Sequence, residues 1–207
     1  MPTNPFSLVP LTSRQVDLLL PWLDLYETAF PAHEKVLVSD HLRILEQKEQ
    51  GGGQDHLLLA VLDEGGSFAG LVRCQLLPEV GAALLWYLAI EPRLRSTGLG
   101  AQVYRQLLRQ VDDGVIKALV FEVEIPELQE NENGRQNAQR RMEFYRRQGA
   151  RLLGGVTYMQ DVGSHVPPTP MHLMVHPLQP LAPEEAFTLA KAVFGGGLAQ
   201  VAAVTLD

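Results

Sequence analysis

A short segment rich in glycine and arginine, RSTGLGA at positions 95–101, has the residue types of an anion-binding loop. It follows the apolar run LLWYLAI and precedes an amphipathic repeat, so it connects a predicted strand to a predicted helix. The first backbone N–H groups of a helix have no partner within the helix and point towards one spot. Gly98 and Gly100 lack the Cβ atoms that would keep an anion away from these groups, and Arg95 can add a positive charge. The segment therefore predicts a binding site for a phosphate or a similar anion.

Two glutamates occur in a second segment that could take part in chemistry, FEVEI at positions 121–125. Alternation along a strand puts Glu122 and Glu124 on one face, roughly 7 Å apart, and the apolar residues on the other. Two carboxylates on one sheet face can accept a proton from a substrate. A solvated or ion-paired strand face is the alternative interpretation, and the segment itself does not decide between the two.

The elements around these segments predict an α/β fold. Strands are indicated at FSLVPL, HLLLAVLD, SFAGLVRCQLL, AALLWYLAI, KALVFEVEI and MHLMVH, and the turn EGG joins the second and third as a hairpin. Helices are indicated after Gln15, around Leu42, from about Gly98, before Gly149 and after Pro183. Pro21 is expected to kink or restart the first helix. Because AALLWYLAI is apolar at every position, both of its faces should be covered, which predicts a central position in a mixed sheet.

The composition favours one soluble domain over residues 1–207. A chain of 207 residues that is 46% hydrophobic can bury one core of ordinary size. A net charge of -7 argues against nucleic acid or an anionic membrane as a partner. The single cysteine, Cys74, cannot form a disulfide within the chain, and no apolar run is long enough to span a membrane. We therefore expect a cytoplasmic protein.

The histidines and the basic helix have simple interpretations. On a strand, His172 and His176 would stand about 13 Å apart, too far for one zinc ion, so no metal is expected. The arginines between positions 135 and 151 are expected to form a solvated helix face.

The glycine segment fits a CoA-binding motif better than a nucleotide-binding motif. It lacks the Lys-Ser/Thr ending of a P-loop and the pattern G-x-G-x-x-G. The spacing Arg95-x-x-Gly98-x-Gly100, after a hydrophobic strand and IEP, resembles the acyl-CoA-binding signature of the GNAT superfamily of N-acyltransferases. A second segment, RRMEFYRRQGAR at 140–151, resembles the later helix of that family and the start of the next strand. The resemblance covers about residues 57–151.

The resemblance implies a GNAT fold, which is a mixed, mostly antiparallel central sheet flanked by helices on both faces. It also implies acetyl-CoA as the acyl-donor substrate, with no metal. Ser96 and Thr97 stand where the family commonly has Gly and Lys or Arg, which leaves Arg93 and Arg95 as the local positive charge. The pantetheine arm is expected to pair with the strand backbone at Leu88, Ala89 and Ile90. The pyrophosphate is expected to lie over the loop, whose residues are Arg95, Ser96, Thr97, Gly98, Leu99, Gly100 and Ala101.

Acyl transfer to an amine needs a neutral nitrogen. The pKa of a primary amine lies roughly 3 units above pH 7, so the amine is mostly protonated and must first lose a proton. Some members of the family carry a carboxylate base on the strand before the signature, which is apolar here. Glu122 and Glu124 are therefore the candidate bases. The resemblance also implies that the Tyr145 hydroxyl lies near the CoA sulfur, where it can donate a proton to the departing thiolate. A purely structural core tyrosine is the alternative for Tyr145, and Tyr158 is a weaker second candidate.

The first helices of the family cover the acceptor end of the cleft. Glu27, Phe30 and Glu34 are accordingly candidates to bind a cationic acceptor, with a helix–helix corner at Pro31 as the alternative. We expect transfer of an acetyl or short acyl group to an amine by direct attack in a ternary complex. The alternative is a non-catalytic acyl-CoA-binding sensor or interaction domain. The acceptor is not identified by the sequence, and both a monomer and a homodimer are compatible with it.

Overall fold

The computed structural model describes residues 6–163 and 166–207 of the chain, and in these ranges it contains eight strands and five α-helices. The strands are β1 (Phe6–Pro10), β2 (His56–Asp63), β3 (Phe68–Leu77), β4 (Ala82–Ile90), β5 (Ala118–Glu124), β6 (Arg151–Gln160), β7 (Thr169–Pro177) and β8 (Leu198–Leu206). The helices are α1 (Val16–Ala29), α2 (Val38–Glu49), α3 (Leu99–Val111), α4 (Glu132–Arg147) and α5 (Pro183–Phe194).

The chain divides into two compact units, and β3, β4 and α3 contribute residues to both. Unit 1 comprises Met1–Leu76 and Leu85–Gln106, and unit 2 comprises Leu77–Leu84 and Leu107–Asp207. The hydrogen-bonded order of the strands is β1-β2-β3-β4-β5-β7-β6-β8. Pairing is mostly antiparallel, with β4 and β5 parallel. The mixed, mostly antiparallel sheet flanked by helices is therefore confirmed.

Unit 1 is built on a three-stranded antiparallel arrangement covered by an aromatic core. Strand β2 pairs with β1 on one side and with β3 on the other. Helix α1 forms because its apolar residues recur at helical spacing, and Trp22 and Tyr26 on its inner face are fully buried. The Trp22 indole N–H donates to the Leu59 carbonyl over 3.1 Å, which joins the helix to strand β2.

The expected restart of the first helix at Pro21 is wrong. Helix α1 runs without interruption from Val16 to Ala29, with Pro21 inside it. Proline in a helix interior costs about 3 kcal/mol because one hydrogen bond is lost. Burial of the adjacent side chains Trp22 and Leu25 offsets that cost, since full burial of one large apolar side chain contributes about 1.5–3 kcal/mol.

Unit 2 contains the second half of the sheet. The first residues of β4 pair in parallel with β5, and β5 pairs with β7 along its whole length. Helix α4 begins after Asn131, whose side chain accepts a hydrogen bond from the Gly134 N–H over 2.9 Å, and ends before Gly149 as predicted. Strand β8, which pairs with β6, was not predicted from the sequence.

The pairing of β6 with β8 predicts a strong requirement for glycine at position 155. Gly155 has φ +73°, and a Cβ there would overlap the carbonyl oxygen of Ala203 on β8. We expect Gly155→Ala to lower the free energy of unfolding by about 2–5 kcal/mol through backbone strain and overpacking. Urea unfolding measures the change, and Gly196→Ala, where an added Cβ meets nothing within 4 Å, is the control. Equal stability of the two variants would contradict the strain argument.

Candidate functional site

The predicted anion-binding loop has the expected backbone geometry. Gly98 has φ +88°, and Ser96 before it also has a positive φ, of 63°. The Gln102 N–H donates to the Gly98 carbonyl over 3.2 Å, which is a hydrogen bond of the first turn of α3. The backbone N–H groups that precede Gln102 in this turn point towards the N-terminal end of the helix. A Cβ at position 98 would meet nothing within 4 Å. The backbone of the loop therefore faces open space that an anion can enter.

Thr97 stabilises this turn. Its hydroxyl donates to the Leu94 carbonyl over 2.7 Å and accepts from the Leu99 N–H over 3.4 Å. The hydroxyl thus satisfies one donor of the helix N-terminus in the manner of a cap. The departure from the family pattern at this position therefore contributes structure instead of charge.

The two arginines of the segment are partly engaged by the protein itself. The Arg95 Nε donates to the Ile90 carbonyl over 3.1 Å. The Arg93 Nη2 donates to the Phe68 carbonyl over 2.8 Å and lies 3.7 Å from a carboxylate oxygen of Asp63. Each guanidinium has five N–H groups, so both keep donors for a ligand. Their positions are nevertheless set by backbone carbonyls, which limits how far they can move towards an anion.

An open cavity of about 510 Å³ lies beside the loop within unit 1. Thr97, Leu99 and Gln102 line one side, and the β2–β3 turn, including Asp63 and Glu64, lines the other. Carboxylates repel phosphate groups, so the turn side is unfavourable for an anion. We therefore expect a bound pyrophosphate to lie on the helix side of this cavity.

The strand segment expected to bind pantetheine lies beyond the β4–β5 ladder. The parallel register runs from Ala82 opposite Ala118 to Leu84 opposite Val120. Leu88, Ala89 and Ile90 lie further along β4, in unit 1. On the β3 side the backbones approach closely, because a Cβ on Gly70 would come 2.5 Å from the Ala89 carbonyl oxygen.

The two candidate bases have different surroundings in unit 2. Glu122 accepts hydrogen bonds from the Tyr158 hydroxyl and, over 2.8 Å, from the Gln160 Nε2. Burial raises the pKa of the Glu122 carboxyl above its ordinary value, although both hydrogen bonds act in the opposite direction. Glu124 instead forms an ion pair with Arg141 on α4, with 2.6 Å between Oε2 and Nη1. The two carboxylates therefore have different partners, a phenol and an amide for Glu122 and a guanidinium for Glu124.

Tyr145 faces inward, as its place on the apolar stripe predicts. Its ring packs against Phe121 and Phe144, with centroid distances of 4.3 Å and 5.0 Å. Burial raises the pKa of the Tyr145 phenol to about 12, so the hydroxyl is protonated at neutral pH and can donate a hydrogen bond.

Strand β6 supplies residues whose role sequence reasoning missed. Gln160 was not considered, and Tyr158 was considered only as an acid, yet both are bonded to Glu122. Their i, i+2 spacing on a strand indicates a shared face. Nothing in the sequence shows, however, that this face reaches a glutamate 36 residues away from Tyr158.

The three candidates for acceptor binding lie in unit 1 and are not equivalent. Glu27 forms an ion pair with Lys35 over 2.6 Å at the surface. Glu34 is buried, and its carboxylate lies 3.7 Å from the His33 ring. The Phe30 ring packs against Tyr87 with a centroid distance of 4.8 Å. Both Phe30 and Glu34 contact Tyr87, Phe30 with its ring and Glu34 with its backbone carbonyl.

Two tyrosines bind the backbone of the loop that follows α1. The Tyr87 hydroxyl donates to the Glu34 carbonyl over 2.9 Å and accepts from the Val36 N–H over 3.1 Å. The Tyr26 hydroxyl donates to the Val36 carbonyl over 2.7 Å. Both backbone groups of Val36 are thus bonded to phenol hydroxyls.

Membrane-spanning helices and metal-binding clusters were also sought in the described part of the chain. Within residues 6–163 and 166–207, no helix is both long and apolar enough to cross a membrane. In the same ranges, no group of three or more His, Cys, Asp or Glu side chains has the arrangement needed to bind a metal ion.

The glycine loop lies at a helix N-terminus and follows β4, whose last residues lie beyond the parallel ladder with β5. The sequence profile of the Acetyltransferase (GNAT) family matches residues 20–150. The chain therefore belongs to the GNAT family and is an acetyltransferase of that family. No curated protein matches the sequence significantly.

Solved structures share the fold at low sequence identity. A protein described as a GNAT-family acetyltransferase from Bacteroides thetaiotaomicron is 23% identical, with a TM-score of 0.70 over 93% of this chain and 99% of the other. An acetyltransferase from Thermus thermophilus is 21% identical, with a TM-score of 0.56 over 86% and 100%. The dodecameric spermidine N-acetyltransferase from Vibrio cholerae is 14% identical, with a TM-score of 0.58 over 83% and 92%.

Proposed function

We propose that the protein transfers an acetyl or another short acyl group from acyl-CoA to an amine acceptor by direct attack in a ternary complex. The observation that carries the proposal is the partly buried Glu122, whose carboxylate accepts hydrogen bonds from Tyr158 and Gln160. Its raised pKa makes it a stronger base than an ordinary glutamate, which is what removal of a proton from an ammonium group requires.

The acyl donor binds to unit 1 in this proposal. The pyrophosphate accepts hydrogen bonds from the loop over 95–101, and the pantetheine arm pairs with the backbone of β4 at Leu88, Ala89 and Ile90. The open space at Gly98 and the helix N-terminus beside it support the first contact. The end of the β4–β5 ladder at Leu84 supports the second.

The reaction has one nucleophilic step and three proton transfers. Glu122 takes a proton from the acceptor ammonium group, directly or through a water molecule, and the neutral nitrogen attacks the thioester carbonyl carbon. A C–N bond forms and the C–S bond breaks, while Tyr145 donates its proton to the departing sulfur. The attacking nitrogen, which is positively charged after the attack, loses its second proton, and this proton restores the neutral Tyr145 hydroxyl, directly or through water. Glu124 has a structural role through its ion pair with Arg141.

Residues 1–207 form one functional domain in this proposal, because the family match over 20–150 includes residues of both units. A cytoplasmic location agrees with the single cysteine, Cys74, which is a buried free thiol.

Release of free thiol from acetyl-CoA tests the proposal. The assay presents the protein with a panel of amines, peptides and aminoglycosides, and calorimetry measures CoA binding in parallel. Turnover with at least one amine supports the acyltransferase. Binding of CoA with no turnover for any amine would support a non-catalytic acyl-CoA sensor instead.

Substitution of Glu122 separates its role from that of Glu124. A base acts when it is deprotonated, so kcat/KM should fall as pH drops through the raised pKa of Glu122. We expect Glu122→Gln to lower kcat/KM by about 10²-fold or more and to remove this acidic limb. Glu124→Gln is the matched control and should keep the limb. A wild-type pH profile for Glu122→Gln would show that the base lies elsewhere.

A further inference from the structure

Arg73 on strand β3 carries a buried positive charge that no carboxylate of the described residues neutralises. The side chain is 4% exposed, and its guanidinium carbon lies 4.5 Å from the centre of the Trp86 ring. Asp40 is a nearby carboxylate, but it forms an ion pair with Arg43 over 2.8 Å. Arginine is almost never fully buried unless it is paired, so Arg73 is unusual.

The neighbour of Arg73 is a histidine that must accept its hydrogen bond. The Arg73 Nη1 lies 3.3 Å from the His41 Nδ1. Arginine has only donors, so Nδ1 is the acceptor and the proton of a neutral ring is on Nε2. His41 is fully buried, and burial together with the charge of Arg73 lowers the pKa of its ring to about 3, which keeps it neutral.

Two buried N–H groups in this cluster have no hydrogen-bond partner in the described part of the chain. They are the Nε of Arg73 and the Nε2 of His41. The buried Nδ1 of His56, a histidine whose pKa is lowered by burial and by Arg73, also has no partner there. Each unsatisfied buried donor costs about 1–3 kcal/mol, and more when it is charged. An acceptor group that binds these donors would remove that cost.

We propose that Arg73 and His41 form a subsite in unit 1 that binds the carboxylate of the acceptor, so that the acceptor is an amine that also carries a carboxylate. This inference rests on the proposed function. Free amino acids and the carboxyl ends of short peptides belong to this class.

The charge of the cluster selects a carboxylate among anions. One arginine beside a neutral histidine provides a single positive charge, which one carboxylate neutralises. A phosphate monoester carries about -1.5 to -2 at pH 7 and would need a second cation. A guanidinium lying against an aromatic ring also presents its edge for bidentate hydrogen bonds to a planar carboxylate.

The position along β4 connects this subsite to the reaction. The Arg73 guanidinium contacts Trp86 and, with 6.0 Å to the ring centre, Tyr87. These residues directly precede Leu88, Ala89 and Ile90, the segment proposed to bind pantetheine. An acceptor whose carboxylate binds Arg73 therefore has its amino group beside the strand that carries the acyl donor. The Trp86 ring beside this subsite is half-buried.

Kinetics with matched acceptors test the proposal. The probes are L-amino acids and the corresponding amino acid amides, which differ only in the carboxylate. We expect kcat/KM of the wild-type protein to be about 10²-fold higher for the acids, and Arg73→Met to abolish this preference by lowering kcat/KM far more for the acids than for the amides. Arg14→Met, at an exposed arginine of the same unit, is the control and should keep the preference.

Calorimetry with N-acetyl amino acids and their amides gives a readout that does not need turnover. Wild-type protein should bind the acids, and Arg73→Met should weaken that binding about tenfold or more. Methionine keeps an unbranched side chain against Trp86, and the melting temperature of the variant, measured in parallel, should stay close to that of the wild type.

The outcomes separate this inference from the proposed function. Equal kcat/KM for acids and amides in the wild type, or equal loss of both in Arg73→Met, would overturn the subsite. Phosphoethanolamine turned over as fast as the best amino acid would overturn the choice of a carboxylate. Arg73-dependent binding of N-acetyl amino acids without any turnover would leave the subsite standing and refute the acyltransferase.

Discussion

We expect Gly100→Val to abolish CoA binding and to leave the protein folded. Gly100 is the second residue of α3, where backbone N–H groups are available to an anion. A branched side chain there fills the space that the pyrophosphate needs. Valine has only a slightly lower helix propensity than most residues and is better than glycine, so the helix itself is not weakened.

Calorimetry with CoA and thermal unfolding measure the two parts of this prediction. The affinity should fall by about 10²-fold or more, which corresponds to roughly 3 kcal/mol of binding free energy. The melting temperature should stay close to that of the wild type. Gly52→Val adds the same side chain at a glycine outside the loop, where a Cβ makes only an ordinary contact of 3.5 Å. Unchanged CoA affinity in Gly100→Val would remove the loop as the CoA site.

The second large effect is expected for Tyr145→Phe. The substitution keeps the ring that packs against Phe121 and deletes only the hydroxyl. The departing thiolate then lacks a proton donor, so kcat should fall by about 10²-fold or more, the scale of general acid catalysis. Acetyl-CoA affinity should change little, because the hydroxyl acts when the C–S bond breaks.

The measurement needs an acceptor for which chemistry limits kcat. Tyr104→Phe is the matched control, since Tyr104 is also a fully buried tyrosine on a helix but is not proposed to act in the reaction. Wild-type turnover by Tyr145→Phe under these conditions would show that Tyr145 only packs in the core. A large fall in melting temperature would point to a structural hydroxyl instead.

The parts of the fold that were predicted correctly depend on neighbours close in sequence. Helix α3 has Leu99, Val103 and Leu107 on one face, and all three are buried. The turn at Gly98 depends on the residues on either side of it, and the end of α4 depends on Gly149. Such features follow from helical periodicity and from the conformational range of glycine, so a single sequence reveals them.

The parts that were missed depend on residues far apart in sequence. Glu122 and Glu124 share a strand face, yet one is bonded to β6 and the other to α4. Arg73 meets His41 across 32 positions, and an arginine in an apolar strand gives no sign of this. The continuity of α1 at Pro21 is decided by tertiary packing, which outweighs the local preference of proline.

The hydrogen bonds from Tyr26 and Tyr87 to the backbone of Val36 have an entropic consequence for acceptor binding. A loop free in solution loses about 1–2 kcal/mol of conformational entropy per residue when a ligand orders it. Here two phenol hydroxyls already fix Val36, and one of them also fixes Glu34. The ordering of this loop is therefore part of the folding free energy, and an acceptor that contacts it binds a preorganised surface.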